Sequence, residues 1–587
     1  MNPEPEFSAI DRQFGDFLQR LTQDAGREVR LAAACASRAR AEGHICARLS
    51  DIARIEGTVN AATLREKLRA SKVVGAPGAF TPLVLDAQDR LYLRRYWEYE
   101  QQLARAILNR AGIGEGAATI QEEDPQDMAA AKAVTNRFTV ITGGPGTGKT
   151  RTVQKILARL LGQPGGSDLR ISLAAPTGKA AARLTDAVRE IDEKFAATTI
   201  HRLLGYLPGS PYFRHGSEHP LTCDILIVDE ASMVDLALMA KLVTAVPDHA
   251  RLVLLGDRDQ LASVEAGNVL ADICAAAQAG EAMITGGPRA GRLQGAPAGK
   301  RDGGFASQSE TALGGELKLE PARHRAAPLR DVVVALQKNY RFAESGGIYT
   351  VSTAINGGDS ETALATLRQD LNGEVRWQKL PASAKLVSVL RDRIIAGYES
   401  ALKTSDPGDA LARLQEFRIL CAVRHGPFGV ENLNAIAEEI FADAGLLAPR
   451  RGWYRGQPLM ITQNDYHLAL FNGDSGIILP DPEAEGELRA FFLSAEGKLR
   501  RFLPARLPLH ETAFAMTVHK SQGSEFERLL LILPEKDGPL LTRELLYTAI
   551  TRARAAVELW ANEDILRAAI SRRTVRQSGL RDALLAG

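Results

Sequence analysis

The sequence predicts an α/β protein. Two units built on parallel sheets follow a mainly helical segment, and a small β insertion interrupts the second unit. Three observations predict this. Short apolar runs, FTVIT (138–142), ISLAA (171–175), DILIVDE (224–230) and RLVLLGD (251–257), alternate with helical stretches and end in polar loops. That is the pattern of strands buried on both faces of a parallel sheet. A glycine-rich loop, GGPGTGKT (143–150), joins one of these strands to a helix. The same texture resumes near LQKNYRF (336–342) and runs through FRILCAVRHG (417–426). A chain of 587 residues is too long for one core, and roughly three or four domains are expected.

In chain order, residues 1–115 read as mainly helical, with a hairpin in PLVLDAQDRLYLRRYW (82–97) turning at Asp86 to Asp89. Residues 116–280 form the first α/β unit. Residues 281–330, including TGGPRAGRLQGAPAGKRDGG (285–304), are rich in Gly, Ala and Arg without apolar period and read as a flexible loop. Residues 331–449 open the second unit. The strand-rich stretch 450–505, with turn signals at Asn472-Gly473 and Glu496-Gly497, reads as an insertion, and 506–587 completes the second unit.

The formal net charge is +1, so no global basic field draws in a polyanion, and any such contact must be local, in a groove or loop. The five cysteines, Cys35, Cys46, Cys223, Cys274 and Cys421, form no C-x-x-C pair and no zinc or iron–sulfur spacing. They read as reduced thiols of a cytoplasmic protein. The N-terminal stretch lacks the basic and apolar regions of a signal peptide, and no apolar run approaches membrane-spanning length.

Gly143, Gly144, Pro145, Gly146, Thr147, Gly148, Lys149 and Thr150 match G-x-x-x-x-G-K-[ST] between a strand and a helix. The glycines let backbone N–H groups close around phosphate oxygens, and the helix N-terminus adds positive potential. Lys149 is expected to reach the β- and γ-phosphates of ATP, and the Thr150 hydroxyl to sit on Mg²⁺. An acid at the end of another buried strand should complete the site. DILIVDE supplies Asp229 as the metal holder and Glu230 as a base for the attacking water. Taken singly, a glycine turn and a surface acidic pair would explain these stretches; together they indicate an ATPase.

Further stretches bear on what the hydrolysis drives. Thr177, Gly178 and Lys179 stand at a strand-to-helix junction, a second helix N-terminus suited to a phosphate and so to a nucleic-acid backbone. Thr199, His201 and Arg202 make a polar patch opening an apolar helix. Gln260 follows the strand end Gly256-Asp257 at a distance that could reach a γ-phosphate. The second unit offers Tyr340, whose ring could stack on a base, with Arg341 and Arg552 in the manner of an arginine finger. Each alone fits a cap or a solvated face; only the ensemble supports these roles.

The ordered motifs GGPGTGKT, APTGKAA, DEAS, GDRDQL, NYRF, MTVHKSQG and YTAITRAR resemble the superfamily 1 helicases across about residues 120–560. TVHKSQGSEF and GDRDQL are similar to the branch, superfamily 1B, that moves 5′→3′ on single-stranded DNA. LYLRRYWEYEQQLA (91–104), ILCAVRHGPFGVENLN (419–434) and ITQNDYHLALFNGDSGI (461–477) resemble the RecD family, the α subunits of RecBCD-type enzymes (exodeoxyribonuclease V). The resemblance implies two RecA-like P-loop motor domains, a partner-docking N-terminal domain, and an SH3-like domain at 450–505. It implies a duplex-splitting pin at about 206–223. It implies that Gln126 reads adenine, that Tyr340 stacks on it, and that Arg151 joins the phosphate loop in holding the nucleotide. Gln260, Arg341 and Arg552 would surround the γ-phosphate; Thr177, Lys179, His201, Thr517 and His519 would line the DNA track. The implied partners are single-stranded DNA, duplex DNA ends, and RecB-like and RecC-like subunits in a heterotrimer. No acidic cluster beyond the ATPase carboxylates suits a nuclease, so cutting is assigned to another subunit. Two alternatives are a stand-alone superfamily 1 motor, and a structural clamp that uses ATP only as a switch.

Overall fold

The computed structural model describes all residues except 1–6, 23–25, 58, 112–121, 208, 286–328, 330, 371–372, 449–451, 466, 495–496 and 587, and not the side chains of 22 and 280–285. The N-terminal segment pairs the helices Ala9–Thr22 and Arg27–Ala41. It also carries a four-stranded sheet, ordered Cys46–Arg48, Arg90–Leu93, Leu83–Leu85, Val74–Gly75. The expected hairpin is its centre: Leu83–Leu85 pairs antiparallel with Arg90–Leu93. Its turn is set by Asp86, whose Oδ1 accepts from the Gln88 and Arg90 amides at 2.9 Å each, while Asp89 takes φ +60°.

Two all-parallel sheets follow. The first runs Val333–Leu336, Phe138–Gly143, Arg251–Gly256, Ile225–Val228, Ile171–Ala175, Ala197–Thr199. Its four central strands are those read from the apolar runs, and their residues are almost all buried. The second runs Val375–Gln378, Ala553–Trp560, Phe526–Ile532, Phe417–Cys421, Ala515–Thr517. These are the two expected α/β units.

Four expected boundaries are corrected, three of them by tertiary contacts. Val333–Leu336 pairs with Val140–Gly143, so the stretch opening at 331 first contributes an edge strand to the first sheet. The β insertion is a five-stranded antiparallel sheet whose last strand is His510–Thr512, beyond the expected end at 505. The chain end does not stay with the second unit. The helix Leu580–Ala586 buries Leu580 and Leu584 in the first unit's core beside Leu103 and Ile107. Ile45 N donates to Gln577 O at 2.7 Å, and the buried Glu100 carboxylate accepts from Gly579 N at 2.8 Å. Strand pairing and core contacts decide all three, and neither is visible in local periodicity. The helix Val269–Thr285 also runs past the expected loop start at 281; the rest of that loop lies outside the described residues, save Leu329.

Candidate active site

The phosphate loop takes its form from two glycines in the left-handed region, Gly146 and Gly148, both at φ +83°. Gly148 caps the helix Lys149–Leu161 and leaves the first amides of that helix free to face an anion. Lys149 Nζ donates to Gly143 O at 2.7 Å and Gly144 O at 3.1 Å. Thr147, buried, donates from Oγ1 to Gly144 O at 2.8 Å. Gln126, on the neighbouring helix Pro125–Thr135, donates from Nε2 to Thr147 O at 3.2 Å. Gly146 O in turn accepts from Tyr340 N at 2.8 Å, and Pro145 O accepts from Asn339 Nδ2 at 2.9 Å.

A cleft of about 290 Å³ opens on this loop. The first unit contributes Lys149, Thr150, Arg183, Asp229, Glu230 and Gln260 to its walls, and the chain beyond contributes Tyr340, Arg341, Glu525 and Arg552. All six residues expected to carry the chemistry therefore share one cavity, although 403 positions separate the first from the last. Gln126, Gly143, Gly144 and Thr147 shape the loop from behind rather than lining the cavity. Arg151 is exposed on the following helix and does not line it.

The carboxylates sit at the ends of buried strands. Asp229 follows Ile225–Val228; burial first, and then the neighbouring Glu230 charge, raise its carboxyl to about 6, against the pull of Lys149. Glu230 holds φ +52°, rare for a side-chain-bearing residue; such strain gathers at functional sites. Asp229 and Thr150 offer two hard oxygen donors to the cleft beside Lys149, a set that suits Mg²⁺. Among the described residues no group of three His, Cys, Asp or Glu forms a metal site.

Several residues in or beside the cleft were not singled out from the sequence. Asp257, at the end of Arg251–Gly256, accepts from Gln260 Nε2 at 3.0 Å and from the Tyr547 hydroxyl at 3.1 Å. Asn339 ties the second unit's approach to the loop. Arg183 and Glu525 face one another at 3.6 Å. Each lies inside or beside a motif already recognised, in APTGKAAARL, GDRDQL, NYRF, HKSQGSEF or LLYTAI, so position in a motif was the available signal. Which of a motif's residues turns inward was not.

The residues expected along a DNA track are brought together only in part. Thr177 caps the helix Gly178–Val188, and Gly523 of the second unit faces it closely enough that a Cβ there would lie 3.7 Å from Thr177 Oγ1. Lys179 Nζ donates to Ser524 Oγ at 2.8 Å; burial, aided by Arg183 and Arg418, lowers its ammonium to about 7. Thr517 accepts from Lys520 N at 3.3 Å, and His519 is half-buried. His201 stands apart from these contacts, edge-on to Phe213 with ring centroids 5.7 Å apart. In the expected pin, Tyr206 and Phe213 form an antiparallel bridge, with Tyr212 exposed at its end.

Residues 5–92 match the family model for the N-terminal domain of RecBCD enzyme subunit RecD. The RecBCD enzyme subunit RecD of Mycobacterium tuberculosis is 38% identical over 96% of this chain and 92% of its own length. The chain belongs to the RecD family. Two further models fall on the motor units of this RecD-family chain, an AAA domain at 126–266 and a UvrD-like helicase C-terminal domain at 512–559. The ATP-dependent RecD2 DNA helicase of Deinococcus radiodurans is 31% identical over 71% of this RecD-family chain but only 46% of its own length. A Pif1 helicase from Bacteroides, solved with ADP-AlF3 and ssDNA, aligns at 18% identity over 75% of this chain and 92% of that one, with a TM-score of 0.39. Among the described residues of this RecD-family chain, no helix is long and apolar enough to cross a membrane.

Proposed function

We propose that the chain is an ATP-dependent 5′→3′ single-stranded-DNA translocase and DNA helicase. It acts as the RecD-like subunit of a RecBCD-type helicase and nuclease complex that processes double-strand breaks for recombinational repair in the cytoplasm. One observation carries this reading: the cleft is built from both motor units, with the phosphate loop and Asp229-Glu230 on one side and Tyr340, Arg341 and Arg552 reaching it from the other. A nucleotide held there ties the two units together, and its loss releases them.

In this reading the loop amides and Lys149 bind the β- and γ-phosphates, and Gln126 and Tyr340 hold the base. Thr150 and Asp229 hold Mg²⁺, which supplies charge neutralisation on the phosphates when bound. Glu230 takes the proton of the attacking water. Arg341 and Arg552 stabilise charge developing on the transferred phosphoryl group. Arg552 is held for this by two backbone carbonyls: Nε donates to Thr548 O at 3.1 Å and Nη1 to Ser524 O at 3.4 Å. Thr177, Lys179, Thr517 and His519 grip the DNA backbone where the two units meet, and His201 with the 206–223 turn lies toward the duplex. Advancing one base pair must overcome stacking of roughly 1.4 kcal/mol, which one ATP covers.

Residues 5–92 match the N-terminal domain of RecBCD enzyme subunit RecD, and the chain is 38% identical to the M. tuberculosis RecD subunit against 31% to the RecD2 helicase. That supports a complex-forming subunit, with RecB-like and RecC-like partners, over a stand-alone motor. The test is unwinding of duplexes with a 5′ or a 3′ single-stranded tail, with and without ATP. Activity on the 5′ tail alone supports the reading, and activity on the 3′ tail alone overturns it. If both are silent, the assay is repeated in the heterotrimer. There Lys149→Gln is expected to stop ATP-driven movement from this subunit's strand while assembly survives; continued unwinding would refute the motor.

A further inference from the structure

One carboxylate in the cleft has no part in the reaction just described. Glu525 follows the Ser524 that bonds Lys179, and its side chain is only 14% exposed. Three guanidinium groups converge on it. Arg341 Nη2 lies 2.7 Å from Oε1, Arg554 Nη2 lies 3.0 Å from Oε2, and Arg183 Nη1 lies 3.6 Å from Oε1. Burial by itself would raise this carboxyl, but Arg183 and Arg341 outweigh it and bring it down to about 2. Glu525 is therefore ionised at every working pH. It stands where an anion belongs, facing Arg341 and within the cavity that also holds Lys149, Glu230 and Arg552.

Arg183 comes from the helix Gly178–Val188 of the first unit, whereas Glu525, Arg341 and Arg554 lie beyond the first sheet. The Arg183–Glu525 contact thus spans the cleft. Burial pulls the Arg183 guanidinium below its usual range; Glu525 and Glu230 favour its charged form, and Arg552 and Arg554 oppose it. Among the lining side chains four cations, Lys149, Arg183, Arg341 and Arg552, face three carboxylates, Asp229, Glu230 and Glu525.

Resting on the ATPase reading of this cleft, we infer that Arg183 is a further phosphate-binding residue. Glu525 is the built-in anion that holds Arg183 and Arg341 until the terminal phosphate of the nucleotide replaces it. A guanidinium has five donors in a fixed fork and bonds phosphate as readily as carboxylate. The incoming phosphate therefore competes with Glu525 for the same donors, and Glu525 acts as a positioning residue that sets how strongly the third phosphate is felt. A diphosphate does not reach the contested donors, so the competition separates ATP from ADP.

The measurement is equilibrium binding of a non-hydrolysable ATP analogue and of ADP to the full chain or its heterotrimer, beside steady-state ATPase. The variants are Glu525→Gln, Glu525→Asp, Arg183→Ala and Arg183→Lys. Glu525→Gln is expected to tighten the analogue about tenfold, leave ADP nearly unchanged and lower KM for ATP. Glu525→Asp restores values near the wild type. Arg183→Ala is expected to weaken the analogue about tenfold or more with ADP again little changed, and Arg183→Lys recovers part of that. Weaker analogue binding in Glu525→Gln, or equal effects on analogue and ADP in either variant, overturns the inference. A variant that does not fold, by its thermal transition, is replaced by its conservative partner, for which a wild-type ATP-to-ADP preference in Arg183→Lys together with unchanged KM also overturns it. A wild-type chain that hydrolyses no ATP in any assembly fails the parent reading instead, and the two failures are distinct.

Discussion

The Tyr547 hydroxyl donates to Asp257 Oδ2 at 3.1 Å, joining the helix Arg543–Ile550 of the second motor unit to the end of a central strand of the first. Both groups are buried. Burial raises both carboxyl and phenol, the phenol well above its usual range, so the hydroxyl keeps the proton it donates. Asp257 also holds Gln260, so one carboxylate connects the contact between units to a side chain that lines the cleft.

Tyr547→Phe should therefore loosen closure without emptying the core. It leaves Asp257 with one donor fewer in a buried place, a cost of about 1–3 kcal/mol. We expect a lower thermal transition and a fall in kcat larger than the change in nucleotide affinity, read by scanning calorimetry and steady-state ATPase. An unchanged kcat would show that Asp257 does not couple closure to Gln260.

Gly148→Ala should abolish nucleotide binding with little unfolding. The residue sits at φ +83°, and an added Cβ would lie 2.2 Å from Gln126 Nε2. The left-handed backbone alone costs a side-chain-bearing residue roughly 1–2 kcal/mol, and displacing Gln126 withdraws the residue held behind the loop. Loss of binding by fluorescent nucleotide titration, with far-UV dichroism unchanged, is the expected outcome; retained binding would count against the loop geometry.

Asp229→Asn should raise stability while stopping hydrolysis. The Asp229 carboxyl is lifted from about 4 unfolded to about 6 folded, so the native state binds the extra proton in between. Its ionised form thus costs stability that is absent below the lower value and fully present above pH 6. The gain in Tm of Asp229→Asn is expected at pH 7.5 and should vanish near pH 4. An equal Tm difference at both pH values would contradict the burial of this charge.

Lys179→Gln should report whether this lysine meets DNA. With its ammonium lowered to about 7, the wild-type side chain is charged at pH 6.5 and largely neutral at pH 8.5. Removing one phosphate contact reduces the salt dependence of binding by about one unit of slope. The wild type and variant should differ by that amount at pH 6.5 and converge toward pH 8.5. Identical slopes at both pH values would take Lys179 off the track.

Much of the motor was legible because its chemistry is local. A phosphate loop needs Gly146 and Gly148 for positive φ and Lys149 at the start of a helix, all within one turn of chain, so the motif carries its own geometry. The central strands were equally plain, because burial on both faces of a parallel sheet forces an uninterrupted apolar run. Arg341 and Arg552 were found only through their motifs, since an arginine by itself usually marks a solvated surface.

The sequence by itself determined the strands, the phosphate loop, the acidic pair and the order of motifs that marks the family. These depend on residue type, periodicity and spacing over a few positions. Tertiary structure alone decided that Val333–Leu336 edges the first sheet, and that Leu580–Ala586 returns to the first core. It alone set Tyr547 on Asp257 and gathered Arg183, Arg341 and Arg554 around Glu525. Apart from Arg554 with Glu525, such contacts join residues far apart in the chain. They are chosen by which strand edges, apolar faces and opposite charges meet when the chain closes, and no local stretch of sequence contains that information.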